Sequence, residues 1–270
     1  MIEAQALNKV FGDPKSDKAV RAVQDVTFTV KPGEIFAFLG PNGAGKTTTI
    51  QMLTTLLKPT SGSVRIDGLD PTKSPLEVRK RFGIVFQDPS LDSELTAYEN
   101  MDLHGVLYHV PRKLRAERSE ALLKLFELWD RRTSIVKTFS GGMRRRLEIA
   151  RGLLHTPKIL FLDEPTLGLD PQSRNQLWTL VKGLNANEGV TVFLTTHYMD
   201  EAEKAAQRVA IIDHGRIVAQ GTVDELKAQT SAESLEGAFL KLTGTTIRDE
   251  RGTPADAMRQ MAKMWQGGRR

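Results

Sequence analysis

Hydrophobic positions along the chain follow two strand-like patterns. Val26, Phe28 and Val30 alternate with Thr27 and Thr29, the period-two pattern of a strand with one buried face. Residues 35–39, 84–86 and 159–162 are continuous apolar runs, expected of strands covered on both faces of a parallel sheet, and residues 190–194 read as another strand. Residues 2–10 and 64–67 read as further strands, and residues 209–212 and 217–219 as a hairpin through His214-Gly215. Lys31-Pro32-Gly33-Glu34 and Pro59-Thr60-Ser61-Gly62 read as turns, and residues 13–18 are polar and turn-like.

Between these blocks the apolar spacing becomes helical. Ile50, Leu53, Leu56 and Leu57 predict a helix, as do Met143, Leu147, Ala150 and Leu154. Thr96 with Glu99 forms a capping box that opens a helix ending before Pro111, and a second helix is expected near residues 113–128. Further helices are expected at residues 173–184, after the Thr222–Glu225 capping box, and around Leu235, Phe239 and Leu242. Arg144, Arg145, Arg146 and Arg151 fall off the apolar side of their helix and read as solvent-facing. Residues 243–254 look like a linker, and Ala257, Met258, Met261, Met264 and Trp265 could form one apolar stripe. Such stripes usually pack on the parent domain; contact with a partner or membrane is the sharper alternative.

Strands alternating with helices predict an α/β fold with a parallel core, and the early strands a small antiparallel sheet beside it. Only helices are expected between Gln87 and Ser140, so an inserted helical subdomain is placed at about residues 88–156. At 270 residues the chain can bury a substantial core. Cysteine is absent, which excludes disulfides and thiolate metal sites. No apolar stretch approaches the roughly 20 residues needed to span a bilayer, and no signal-peptide pattern opens the chain, so a cytoplasmic protein is expected. The net charge of +5 would suit nucleic acid or an anionic membrane, but the excess is scattered over the sequence and is taken as ordinary surface charge. His104 and His109 are five residues apart and share no helical face, so a metal site is not expected there.

Residues 40–48 carry the clearest chemistry: Gly40, Pro41, Asn42, Gly43, Ala44, Gly45, Lys46, Thr47 and Thr48 match a phosphate-binding loop between a strand and a helix. Glycines let backbone N–H groups close around a phosphate, and the helix that follows points its positive end at the anion. Lys46 would reach the β- and γ-phosphates and the Thr47 hydroxyl would ligate Mg²⁺. Asp163 and Glu164 end a buried strand, where ligands bind in open α/β sheets. Phe11 reads as core by periodicity or, more sharply, as a platform for a nucleotide base.

The phosphate loop, Gln87, Ser140-Gly141-Gly142, Asp163-Glu164 and His197, in this order, resemble the nucleotide-binding subunit of ABC transporters. The resemblance spans roughly residues 2–228. It implies a P-loop NTPase cassette with a RecA-like parallel sheet core, an antiparallel β subdomain and an inserted α-helical subdomain, followed by an extension at 229–270. It also implies ATP and Mg²⁺ as cofactors and a role for each matched residue. Phe11 would stack on adenine. Gln87 would sense Mg²⁺ and meet the membrane partner. Asp163 would help hold Mg²⁺ through water, Glu164 would polarise the attacking water, and His197 would contact the γ-phosphate. Ser140, Gly141 and Gly142 would contact ATP held by a second subunit, with Asp170 in the loop crossing the interface. Two subunits, read as a homodimer, would sandwich two ATP molecules and drive a separately encoded permease from the inner membrane face.

Many such signatures carry Gln after Ser-Gly-Gly, whereas this chain has Met143. The implied phosphate contacts belong to the serine and the backbone amides, so activity is expected to survive. Residues 139–145 and the tail at 234–244 are similar to the subgroup of daunorubicin-resistance ATPases and related antibiotic exporters. An ABC ATPase acting on nucleic acid or ribosomes is the alternative; such proteins resemble paired cassettes or carry long coiled coils, and neither pattern occurs here. Replacing Lys46 with Ala should weaken ATP binding; calorimetry showing unchanged affinity would count against the phosphate-loop assignment.

Overall fold

The computed structural model describes residues 1–13, 16 and 18–244. The apolar stripe expected near Met258 and most of the expected linker lie outside them, as do Pro14, Lys15 and Asp17 of the early turn. Two sheets form the frame. The larger has the order β5(Phe82–Val85), β6(Ile159–Asp163), β7(Thr191–Thr196), β3(Ile35–Leu39), β8(Arg208–Asp213), β9(Arg216–Gly221). Its ladders are parallel except for the β8–β9 hairpin at one edge. The smaller sheet is antiparallel, with β1(Ile2–Phe11) between β2(Val20–Val30) and β4(Ser61–Ile66).

The continuous apolar runs have a direct cause. Alternate residues of a strand face opposite sides, and both sides of the large sheet are covered. Phe36, Phe38, Phe161 and Phe193 face the small sheet, where Phe28 of β2 lies 5.6–5.7 Å from the rings of Phe36, Phe38 and Phe193. Ala37, Leu39, Leu160, Leu162, Val192 and Leu194 face a second core built with helices. These include α3(Ala97–Leu107), α4(Arg112–Leu125), α5(Gly141–Leu153) and α6(Pro171–Glu188), with α1(Lys46–Leu53) and the short α2(Pro75–Arg79) on the other side. Among the described residues no helix is long and apolar enough to cross a membrane.

Both expected capping boxes form, Thr96–Glu99 at α3 and Thr222–Glu225 at α8(Val223–Thr230). Leu235 and Phe239 of α9(Leu235–Thr243) are buried in the helical core. Several boundaries differ from expectation. The α1 helix ends at Leu53, so Leu56 and Leu57 lie beyond it, and Leu56 is exposed. β2 begins at Val20, β4 takes in Ser61 and Gly62, and β5 starts two residues early. α4 stops at Leu125, leaving Leu128 in the following turn although it is buried. The short helices α2 and α7(Met199–Ala205) were not anticipated, because so few turns offer no period to detect.

Two corrections concern side chains. Phe11 is not core: its ring is 41% exposed at the end of β1, with the Lys9 ammonium over it at 5.2 Å. Nor do the arginines of α5 all face solvent. Arg145 is buried, and Arg146 and Arg151 are largely covered while bonding to the carbonyls of Phe126 and Ser90.

A ring stack joins α3 to the end of α5. Tyr108 lies 4.6 Å from His104 and stacks on His155 at 3.9 Å. Burial, with help from the Arg151 charge, lowers the His104 pKa to about 3. Burial also lowers that of His155 to about 4, against its hydrogen bond with the Phe82 carbonyl. Both folded values lie below the ordinary 6.5, so the unfolded chain takes up these protons first. Their neutral forms therefore support the fold fully above pH 6.5, and that support is lost as pH falls towards 4 for His155 and towards 3 for His104. The melting temperature should drop by several degrees between pH 7 and 5, and His104→Leu should flatten part of that slope in thermal scans.

Candidate functional site

The parallel strands β3, β6 and β7 end on the same edge of the large sheet. Register sets Asp163 opposite Thr195 and Leu39 opposite Thr196. Three loops therefore leave side by side: residues 40–45 after β3, Glu164 onwards after β6, and His197 after β7. A cleft of about 320 Å³ opens there, lined by Pro41, Asn42, Gly43, Gly45, Lys46, Thr47, Thr48, Gln87 and Glu164, together with Ala22 from the small sheet.

The loop after β3 can be built only with glycine at two points. A Cβ on Gly40 would run into the Ile212 carbonyl. Gly45 has φ +104°, and a Cβ there would strike the Ala22 carbonyl. Gly45 caps α1 without a side-chain hydrogen bond, which leaves the first-turn N–H groups facing the cleft free for an anion.

Charges at the cleft are arranged in a line. Lys46 donates to the carbonyls of Gly40 (2.8 Å) and Pro41 (3.3 Å) and pairs with Glu164 at 3.1 Å, both side chains being buried. The other Glu164 oxygen accepts from His197 Nδ1 at 2.8 Å. Glu164 sits at φ +48°, and its N–H donates to the Thr195 carbonyl and hydroxyl. The Thr195 hydroxyl in turn donates to Asp163, which also lies 3.4 Å from the Thr47 hydroxyl.

The two neighbouring carboxyls are driven apart. Burial raises the Asp163 pKa, and hydrogen bonds from Thr195 and Thr47 only partly offset it. Burial acts on Glu164 in the same sense, but the His197 hydrogen bond and the Lys46 charge outweigh it and lower its pKa. Glu164 is thus held ionised beside the cleft, as an acceptor for a proton or for a polarised water. The Asp163 and Thr47 oxygens are adjacent hard donors of the kind Mg²⁺ takes, usually with several waters retained.

Ser140, Gly141 and Gly142 do not line this cleft. Ser140 caps α5, its hydroxyl accepting from the Met143 N–H at 3.2 Å, while Met143 packs partly against the helical core. A Cβ on Gly142 would come within 2.6 Å of the Ser173 hydroxyl. That hydroxyl donates to Asp170, which caps α6. The Ser-Gly-Gly turn is therefore packed beside the loop ending at Asp170. Phe11 also lies outside the lining.

These features match a family. A family model described as ABC transporter matches residues 23–167. This chain belongs to the ABC transporter family. The cassette is 47% identical to the daunorubicin/doxorubicin resistance ATP-binding protein of Streptomyces peucetius over 87% of this chain and 69% of that protein. It is 38% identical to the linearmycin resistance ATP-binding protein of Bacillus subtilis over 87% of this chain and 73% of that protein. A solved ATP-binding subunit of an ABC transporter superposes with TM-score 0.79 at 32% identity, covering 90% of this chain and 99% of that one. An ATP-binding cassette solved as a dimer in a post-hydrolysis state with ADP and Pi gives TM-score 0.73 at 30% identity, covering 82% and 98%. As an ABC ATPase, the chain binds and hydrolyses ATP.

Sequence patterning missed Thr195 and Ala22. Thr195 follows the expected strand as the first of two threonines, and nothing in that pattern singles it out; Ala22 acts through its main chain, which no side-chain pattern reports. Thr195→Val keeps the shape but removes the hydroxyl that serves both Asp163 and the Glu164 N–H. Denaturant unfolding should show a loss of about 1–3 kcal/mol, the usual cost of stranding buried polar partners.

Proposed function

We propose that this chain is the ATPase subunit of an exporter, that Glu164 polarises the attacking water, and that a second copy completes each site. One observation carries the reading: buried Lys46 and Glu164 and half-buried His197 form a continuous array at the phosphate loop, while the Ser140 helix terminus stands apart, beside Asp170. A site with its phosphate cradle and carboxylate in one place and its second anion-binding turn elsewhere is suited to head-to-tail pairing.

In this reading the loop amides of residues 41–48 and Lys46 hold the triphosphate, and Phe11 offers an exposed ring to the adenine. Thr47, Gln87 and Asp163 would hold Mg²⁺, which when bound neutralises phosphate charge. Glu164 accepts from water and is kept ionised by Lys46 and His197. The His197 Nδ1 is committed to Glu164, which leaves its other ring nitrogen for the γ-phosphate. Ser140, Gly141 and Gly142 meet the γ-phosphate of the opposite subunit, with Asp170 at the crossing loop. Residues 1–228 would form the cassette, 88–156 its helical subdomain and 229–270 an extension.

The partner implied is a separately encoded permease, with the cassette on the inner membrane face. Leu103, Val106 and Leu107 form an exposed apolar stripe on α3 that suits such a contact. Export of a drug-, antibiotic- or lipid-like compound is the reading, supported by the likeness to the resistance proteins of S. peucetius and B. subtilis.

The decisive variant is Glu164→Gln. It should bind ATP with near-native affinity, lose turnover by about 10²-fold or more, and accumulate as a dimer in sedimentation. Adding Ser140→Ala should abolish that dimer. Native turnover in Glu164→Gln would remove Glu164 from its role, and a dimer indifferent to Ser140 would remove the sandwich.

A further inference from the structure

The α5 helix carries a second, inward-facing set of charges. Arg145 and Glu148 are spaced i, i+3 and are 7% and 2% exposed. Arg145 Nη1 donates to the Phe86 carbonyl at 2.6 Å and to Glu148 at 3.0 Å. Its Nη2 donates to the Gln87 carbonyl at 3.3 Å and reaches the Glu164 carbonyl at 3.5 Å. The second Glu148 oxygen accepts from the Ser90 N–H at 2.8 Å, and Arg151, one turn on, holds the Ser90 carbonyl at 2.7 Å.

One planar guanidinium thus binds the main chain at the ends of both β5 and β6. A buried ion pair is a poor source of stability, since removing two charges from water costs several kcal/mol per ion. What such a fork supplies is geometry: it fixes several carbonyls relative to one another and to its own helix. Here the helix is the one capped by Ser140, and the carbonyls belong to Gln87 and Glu164.

We propose that Arg145 is a positioning residue, held by Glu148, that locks the Ser140 helix to the Gln87 loop and to the Glu164 main chain. This rests on the proposed roles of Glu164, Gln87 and Ser140. A shift of the helix terminus that meets the partner's nucleotide is then passed to the carboxylate of the chain's own site. Arg145 does not line the cleft. Its loss therefore leaves the phosphate cradle intact while moving Glu164 and Gln87 out of register.

The test uses the full chain with Arg145→Met, Arg145→Lys and Glu148→Gln, with Glu164→Gln in parallel. Calorimetry with ADP, with and without Mg²⁺, gives binding stoichiometry and affinity. ATPase titrations give kcat per nucleotide-binding site, KM, and the Mg²⁺ concentration for half-maximal rate. For Arg145→Met we expect ADP affinity without Mg²⁺ and ATP KM within twofold of native. Its kcat per site should fall 10- to 50-fold, and its Mg²⁺ requirement rise severalfold. Arg145→Lys should recover part of kcat, since one ammonium can hold some of these carbonyls but not all. Glu148→Gln should show a milder loss of the same form. If Arg145→Met does not fold, the other two variants carry the test.

Turnover within twofold of native in these variants, with Glu164→Gln inactive, overturns the role of Arg145 and leaves the parent reading standing. A loss that tracks reduced binding stoichiometry, with an unchanged Mg²⁺ requirement, also overturns it, because that is the mark of a merely structural residue. Native turnover in Glu164→Gln would instead strike the parent reading.

Discussion

The site depends on the parallel pairing of β6 with β7. Both strands are buried on both faces, so neither can place a polar side chain along its length without cost. Polar groups gather where the strands end, and register puts Asp163 against Thr195 and Glu164 just beyond. The threonine hydroxyl then serves two neighbours at once, receiving from the Glu164 amide and giving to Asp163. The β3 strand pairs with the other side of β7, which carries the glycine loop and Lys46 to the same edge. Slipping this register by one residue would move Asp163 and Thr195 to opposite faces and dismantle the array.

Within that frame, the electrostatics separate two adjacent carboxyls. Asp163 is surrounded by hydroxyls and little positive charge, so burial governs it. Glu164 has an ammonium on one oxygen and an imidazole on the other, so it keeps its charge despite equal burial. Two residues joined by a single peptide bond thereby acquire different chemistry from their surroundings.

How much of this was legible in the sequence depended on whether the signal was local. The phosphate loop was legible because backbone geometry dictates residue type there: Gly40 and Gly45 sit where main chain approaches too closely for a side chain. The buried strands were legible because two covered faces leave no room for alternation. The capping boxes are closed by contacts within four residues, so they too were readable. Arg145 was misjudged for the opposite reason. Helical periodicity assigns a charged position to solvent, and it has no way to register carbonyls supplied just past the ends of β5 and β6, from 59 and 19 residues away. Phe11 failed likewise, since an aromatic residue at the end of an apolar strand looks like core until the edge of the sheet is located.

The left-handed backbone at Glu164 limits what evolution can try there. For a residue with a Cβ that conformation costs on the order of 1–2 kcal/mol, paid for by the hydrogen bonds that the Glu164 amide makes to Thr195. Branched residues such as valine or isoleucine fit it worst, whereas asparagine, aspartate and glycine enter it most readily. Descendants that abandon hydrolysis but keep the scaffold should therefore drift through a narrow set of small or amide-bearing replacements, leaving a recognisable scar in the alphabet of that single position.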